Sequence, residues 1–120
     1  MAEPQMGTFL GKELYVIITT PVAPREQIME MMPKHLARQV ELEKAGIMFG
    51  AGPLYDDGSD APAAGMIIVR AASFEEANKI AAADPFHAAG LRTYTIRRWK
   101  LNEGSFTVTL NYSDQTMTVV

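Results

Sequence analysis

The chain of 120 residues has no cysteine, only two histidines and a single tryptophan. The lack of cysteine excludes disulfides, thiolate nucleophiles and cysteine-ligated zinc, and it leaves the redox environment undetermined. No run of about 18 apolar residues is present that could cross a membrane. Residues 1–12 lack the basic segment and apolar run of a signal peptide. We therefore expect a cytoplasmic protein without a membrane partner.

The charge balance is slightly acidic, with 11 Lys and Arg against 14 Asp and Glu and a net charge of -3. Without a basic excess, nucleic acid is not an expected partner. The hydrophobic share of 48% is typical of a globular protein. A chain of this length can bury one core but is too short for separate cofactor and substrate domains. We predict a single domain over residues 1–120.

The first half of the sequence predicts a strand followed by a long helix. Leu14–Thr19 is a continuous β-branched and aromatic run, which is typical of a central strand. From Arg25 to Ala45 apolar residues recur at helical spacing. Pro33 removes an interior hydrogen bond, so we predict either a kink near Met31 or two helices that meet there. His35 lies about one turn away and is expected to point partly toward the apolar side.

The second half predicts three more strands and another helix. Residues 47–54 and 66–71 resemble strands, with a loop that we expect to be mobile in the polar segment 56–65. Residues 92–101 alternate as a final core strand. The resulting order βαββαβ predicts an α+β, ferredoxin-like sandwich. Residues 106–120 alternate around a turn and predict a C-terminal β-hairpin.

A capping box marks the start of the second helix. Ser73 is followed three residues later by Glu76, which is the pattern in which each side chain bonds a free backbone amide of the first turn. Continuing the apolar stripe four residues beyond Ile80 reaches Asp84. We therefore expect this carboxylate near the inward face at the helix end.

Several short signatures follow one another along the chain, namely His35-Leu36, Gly46, Gly52-Pro53 with Asp56, Ser73 with Glu76-Ala77, Asp84-Pro85-Phe86, Gly90-Leu91 and Ile96–Trp99. In this order they resemble the YciI-like (YCII-related) family of small dimeric α+β-barrel proteins. The resemblance covers roughly residues 13–101 and leaves the hairpin region 102–120 as an extension. It implies a dimeric barrel, hence a homodimer that could assemble further, and a His35–Asp84 pair that has been proposed in the family as an active site.

The chemistry of such a pair is acid-base catalysis. An imidazole takes and returns protons near neutral pH, and a carboxylate on its other nitrogen fixes its tautomer. We predict His35 and Asp84 as the catalytic residues, suited to proton abstraction from a phenol, hydroquinone, enol or lactone. The alternatives are a partly buried His35 bonded to a backbone carbonyl, and an Asp84 that only caps a short helix beginning at Pro85.

The second imidazole, His87, is expected to face solvent. Two histidines and scattered carboxylates lack metal-ligand spacing, so we expect neither a metal nor another cofactor.

Four residues are predicted to bind substrate, namely Pro53, Phe86, Arg97 and Trp99. Arg97 and Arg98 point to opposite faces of one strand, and Arg97 shares its side with Trp99. Arg97 is therefore favoured as the arginine for an anionic substrate, with two solvated arginines as the alternative.

Three function classes are compatible with these residues. The first is a cofactor-independent lyase or isomerase of aromatic or quinoid catabolites, because relatives of the family are linked to chlorohydroquinone dehydrochlorination and the fold resembles muconolactone isomerases. The second is a non-catalytic protein that binds a small molecule in the same cleft. The third is a dimeric accessory or interaction protein. A closed His35–Asp84 contact beside a cavity favours the first class, and an exposed apolar patch favours the third.

Overall fold

The computed structural model of the protein describes residue 3 and residues 6–120. These residues form a short 3₁₀ helix at Met6–Thr8, three α-helices and six strands. In chain order the elements are β1 (Lys12–Pro21), α1 (Arg25–Lys44), β2 (Met48–Tyr55), β3 (Pro62–Val69), α2 (Phe74–Ala82), α3 (Pro85–Ala88), β4 (Arg92–Leu101), β5 (Val108–Asn111) and β6 (Thr116–Val119). The chain divides into two compact units: Glu13–Lys100, and the residues up to Lys12 together with Leu101–Val120.

The larger unit contains a four-stranded sheet in the order β2-β3-β1-β4. β3 pairs antiparallel with both β1 and β2, and β2 is an edge strand. This arrangement confirms the predicted α+β, ferredoxin-like βαββαβ fold.

The core of this unit lies between one face of the sheet and α2. Alternate residues of β1 and β3 point to this face because side chains alternate along a strand. Apolar side chains from both strands meet two alanines of α2, and their burial supplies most of the driving force for packing. The buried cluster consists of Tyr15, Ile17, Ile67, Val69, Ala77 and Ala81.

The helix α1 is continuous through Pro33, so the second of the two predicted alternatives, two helices that meet near Met31, is wrong. Proline removes one interior hydrogen bond, but the remaining bonds and the contacts of the buried Ile28 and Leu42 hold the helix together on both sides. At its end, Gly46 adopts a φ of +75°, donates to Glu43, and is followed by an amide that bonds Leu42. This is a Schellman motif, which favours glycine at the left-handed position.

β3 begins earlier than its hydrophobic run predicts, at Pro62 instead of residue 66. The extra residues are small, and they pair with the end of β2, with Gly65 opposite Pro53 and Ala64 opposite Leu54. Proline is tolerated here because Pro62 is the first residue of its strand and Pro53 lies in an edge strand. The connecting loop is therefore confined to residues 56–61.

In the smaller unit, β5 and β6 form the predicted C-terminal hairpin. Val108 is paired with Val119 and Leu110 with Met117, so these four apolar side chains share one face. Threonines occupy the other face. All four apolar side chains are exposed.

Candidate active site

The structure brings His35 of α1 into hydrogen-bond contact with Asp84, which lies between α2 and α3. Nδ1 of His35 donates to Oδ2 of Asp84 at 2.8 Å. Asp84 is buried, with 4% of its surface exposed. A carboxylate acceptor at Nδ1 leaves the lone pair of the neutral imidazole on Nε2. In the described part of the chain, no protein group is hydrogen-bonded to that Nε2.

Asp84 caps α3, as one of its two interpretations from the sequence predicts, and it contacts His35 at the same time. Its Oδ1 accepts from the Phe86 amide at 2.9 Å while Oδ2 accepts from His35. Burial by itself raises the pKa of Asp84, but the hydrogen bonds from His35 and the Phe86 amide outweigh it. The pKa of Asp84 consequently lies below its ordinary value of 3.8. The carboxylate is thus ionised and fixed in position at neutral pH.

His35 lines a cavity of about 610 Å³ between α1 and the helix-covered face of the sheet. Its helical neighbours at spacings of three and four residues, Met32 and Gln39, line the same cavity. The predicted residues Pro53 and Phe86 also line it. The cavity wall is mainly apolar, as is usual for small-molecule sites.

Phe86 contacts both His35 and the guanidinium of Arg92. Its buried ring lies 4.5 Å from the ring of His35, between centroids, with an interplanar angle of 31°. The guanidinium carbon of Arg92 is 5.5 Å from the centroid of the same ring. A base and a cation therefore flank one aromatic side chain at the cavity.

Arg92 and the exposed Arg25 both line the cavity, whereas Arg97 and Trp99 do not. Along β4 the side chains of Tyr94 and Ile96 pack against the core, so the even-numbered positions near the start of the strand face the helices. Arg97 has the opposite parity and is exposed. Trp99 packs edge-on against Phe49, with 6.2 Å between ring centroids.

Sequence reasoning missed Arg92. The signal that could have found it is its position on the same side of the strand as the apolar Tyr94 and Ile96. The sequence alone does not show which face of the strand the helices cover.

His87 does not face solvent as predicted, because it lies three residues after the capping Asp84 and turns toward the sheet. Its Nδ1 is 2.6 Å from the Ala81 carbonyl, and its Nε2 is 2.7 Å from the Thr19 hydroxyl. Its ring also packs against Tyr94 at 4.5 Å. This histidine therefore belongs to the packing between α3 and the sheet.

The described residues contain no group of three or more His, Cys, Asp or Glu side chains arranged to hold a metal ion. No helix among them is long and apolar enough to span a bilayer.

The topology and the buried His-carboxylate pair beside an open cavity define a small α+β sandwich protein with a candidate acid-base site. The YCII-related domain matches residues 14–100, and the chain belongs to this family. The resemblance inferred from the short signatures is thereby confirmed. No curated protein matches the chain.

A solved structure of the same architecture is that of 5-chloro-2-hydroxyhydroquinone dehydrochlorinase from Burkholderia phenoliruptrix, in complex with 2,5-dihydroxybenzoquinone. It is 25% identical in sequence to this chain, with a TM-score of 0.62. The similarity covers 72% of this chain and 93% of the dehydrochlorinase.

Proposed function

We propose that the protein is a cofactor-independent lyase or isomerase that acts on a hydroxylated aromatic or quinoid small molecule. His35 is the acid-base residue and Asp84 orients it. The proposal is carried by the 2.8 Å contact between Nδ1 of His35 and Asp84, which leaves Nε2 as the basic atom of a residue that lines the cavity. The similarity to a dehydrochlorinase of hydroxyhydroquinones supports the substrate class.

The chemistry of such an elimination needs only proton transfers and a leaving chloride. In a chlorinated hydroxyhydroquinone, a base takes the proton of the hydroxyl next to the C–Cl carbon and returns it to that carbon. This gives a CHCl centre beside a new carbonyl. A second hydroxyl then loses its proton, its electrons form another carbonyl and shift a ring double bond, and the C–Cl electron pair leaves with chloride. The net change is loss of HCl and formation of a hydroxybenzoquinone.

One imidazole that both accepts and returns protons can serve each transfer. His35 in the proposed tautomer accepts the hydroxyl proton at Nε2, and the buried Asp84 stabilises the imidazolium that forms. The same atom then returns the proton to carbon. Isomerisation of a lactone such as muconolactone uses the same two transfers without a leaving group.

The lining of the cavity suits a largely apolar substrate. Apolar side chains such as Met29, Met32 and Leu36 line the α1 side, and Pro53 lines the side of the sheet. Such walls bury an aromatic ring while a few polar groups orient it. Gln39 supplies one of these groups, because its buried Oε1 accepts no hydrogen bond from the described residues.

The first test is turnover of 5-chloro-2-hydroxyhydroquinone under anaerobic conditions, followed by chloride release and quinone absorbance. Muconolactone is assayed in parallel, because its conversion would assign the isomerase activity instead. We expect His35→Ala to lower kcat/KM about 10²-fold to 10⁴-fold. The exposed-loop variant Asp57→Asn is the control and is expected to keep full activity. Turnover of neither substrate by the wild type, or full turnover by His35→Ala, contradicts the proposal.

A second candidate function is that of a non-catalytic binding or interaction protein, which the exposed apolar side chains of the β5–β6 hairpin favour. We propose that this hairpin face contributes to a homodimer. Dimerisation is compatible with either function.

A further inference from the structure

Arg92 is held in place by two hydrogen bonds to one residue. Its Nε donates to the hydroxyl of Thr19 at 3.0 Å, and its Nη2 donates to the Thr19 carbonyl at 2.9 Å. Thr19 is itself buried, with 5% of its surface exposed. One edge of the guanidinium is therefore fixed against β1.

His87 fixes the Thr19 hydroxyl in turn. The Ala81 carbonyl can only accept, so Nδ1 of His87 carries the proton of that 2.6 Å contact. Nε2 of the neutral ring then accepts from the Thr19 hydroxyl at 2.7 Å. The hydroxyl oxygen remains free to accept from Arg92. The four groups form a continuous chain in which each donor has an acceptor.

The opposite edge of the guanidinium has no protein partner among the described residues. Nη1 and the second hydrogen of Nη2 make no hydrogen bond there, and Arg92 forms no ion pair with a carboxylate. Asp84, the nearby acid, is bonded to His35 instead. Arg92 lines the cavity, and its guanidinium lies over Phe86, the ring that also contacts His35. A cation that Thr19 holds in place, with a free fork and no direct ion pair, is thus presented beside the candidate base.

We infer that Arg92 is the anion-binding residue of this cavity and that the ligand carries a carboxylate, or a comparable pair of oxyanions, on its aromatic ring. The free Nη1–Nη2 edge matches a carboxylate in bidentate geometry. Partial burial strengthens the interaction, because less water competes for the ions. This inference deepens the proposed function by specifying an anionic hydroxyaromatic ligand, and it rests on the same cavity.

The experiment compares two probes of nearly the same shape, 4-hydroxybenzoate and its neutral amide, 4-hydroxybenzamide. Their dissociation constants for the wild-type protein are measured by calorimetry. We expect the carboxylate to bind about 10-fold to 100-fold more tightly than the amide, as charge-assisted bidentate bonds typically give. Arg92→Met should abolish this preference and leave the affinity for the amide nearly unchanged. Arg92→Lys should retain only part of it, because lysine keeps the charge but not the fork.

Two further variants distinguish a loss of anion binding from a folding defect. Thr19→Val keeps the shape of the side chain and the charge of Arg92 but removes the hydroxyl that fixes Nε. It should lower the preference for the carboxylate several-fold with little change for the amide. Arg98→Gln removes an exposed charge from the same strand and should leave the preference intact. Thermal unfolding of each variant verifies the native fold.

Equal binding of the two probes by the wild type, binding of neither, or an unchanged preference in Arg92→Met and Thr19→Val overturns the inference. Its failure is distinguishable from that of the proposed function. If His35→Ala abolishes turnover while the wild type binds the two probes equally, the proposed function stands and the anion site does not. If the preference for the carboxylate depends on Arg92 but turnover does not depend on His35, the anion site stands and the proposed function does not.

Discussion

His35 and Asp84 are 49 positions apart in the chain, and their side chains meet through a 2.8 Å hydrogen bond from Nδ1 to Oδ2. The same carboxylate caps α3 through its other oxygen. One buried group thus links the long first helix to the short helix before β4. A defect at Asp84 should therefore affect both the orientation of the histidine and the start of α3.

Substitution of Asp84 by asparagine should reduce activity more than it reduces stability. The amide oxygen can still cap Phe86, but the amide NH₂ cannot accept from Nδ1. The imidazole then favours the tautomer with its proton on Nε2, which cannot act as the base. We expect kcat to fall about 10²-fold to 10⁴-fold. The measurement is steady-state turnover together with urea unfolding.

Asp84→Ser is the matched variant for the capping role. Serine is a good N-cap but is too short to replace the contact with His35. If capping alone mattered, this variant would keep full activity, whereas orientation of His35 predicts a loss similar to that of Asp84→Asn.

Stability should decrease in acid because of Asp84. Its pKa in the folded protein lies below the ordinary value of 3.8, so the unfolded chain takes up the proton first as the pH falls. The contribution of the ionised carboxylate is complete above 3.8 and is lost as the pH falls through the lower folded pKa. The difference in unfolding free energy between the wild type and Asp84→Asn should shrink as the pH falls below about 4. Urea unfolding as a function of pH measures it, and a constant difference down to about pH 2.5 would contradict the assignment.

Gly65 should not tolerate a side chain. A Cβ at this position would lie 3.0 Å from the methyl carbon of Thr19 and 3.7 Å from Nη2 of Arg92. Thr19 is buried in the central sheet and cannot move aside freely, so we expect Gly65→Ala to destabilise the protein by about 1–3 kcal/mol. Gly50→Ala is the control in the same sheet, because its Cβ would meet nothing within 4 Å. Equal melting temperatures for the two variants would show that the Thr19 side chain moves aside, which would contradict the prediction.

Gly90 should be required at the end of α3. Its φ is +71°, its amide donates to His87, and the next amide donates to Phe86. These bonds form a Schellman motif, and a Cβ at a left-handed position costs about 1 kcal/mol or more. Gly90→Ala should therefore lower stability, and Gly90→Asn should lower it less, because asparagine tolerates this conformation better. Thermal unfolding of both variants tests the ranking, and a more stable Gly90→Ala would contradict it.

The hairpin face formed by Val108, Leu110, Met117 and Val119 should govern self-association. A lysine at Leu110 places a charge among the apolar side chains and should weaken the proposed dimer. Thr109→Lys adds the same charge on the threonine face and should have no such effect. Sedimentation equilibrium measures the oligomeric state, and equal association of both variants would exclude this face from the interface.

The local chemistry of the chain allowed much of the fold to be predicted. The Ser73–Glu76 capping box gives the observed bonds at the start of α2, where the Ser73 hydroxyl accepts from the Glu76 amide at 3.1 Å and the glutamate accepts from Ala72 at 3.0 Å. Helical spacing placed His35 on the side that lines the cavity. These features were accessible because each depends on residues within one or two turns of each other.

The features that the sequence did not predict depend on residues that are far apart in the chain. The sequence favoured Arg97 over Arg98 and did not consider Arg92, because the face of β4 that the helices cover cannot be known from the strand alone, and a one-residue change of parity moves a side chain to the other face. The orientation of His87 depends on Thr19, 68 positions away. β3 starts early because its first residues pair with β2, and a run of small residues does not predict that pairing.

The sequence by itself determined the order of the elements, the ends of the helices and the membership of the YCII-related family, because propensity, capping and hydrophobic spacing act over short distances. Tertiary structure alone decided that a helical histidine meets a buried carboxylate and that Arg92 faces the cavity. Both contacts arise when α1 and α3 pack on one face of the sheet. Such packing sums many weak interactions between distant residues, and no short pattern in the chain encodes it.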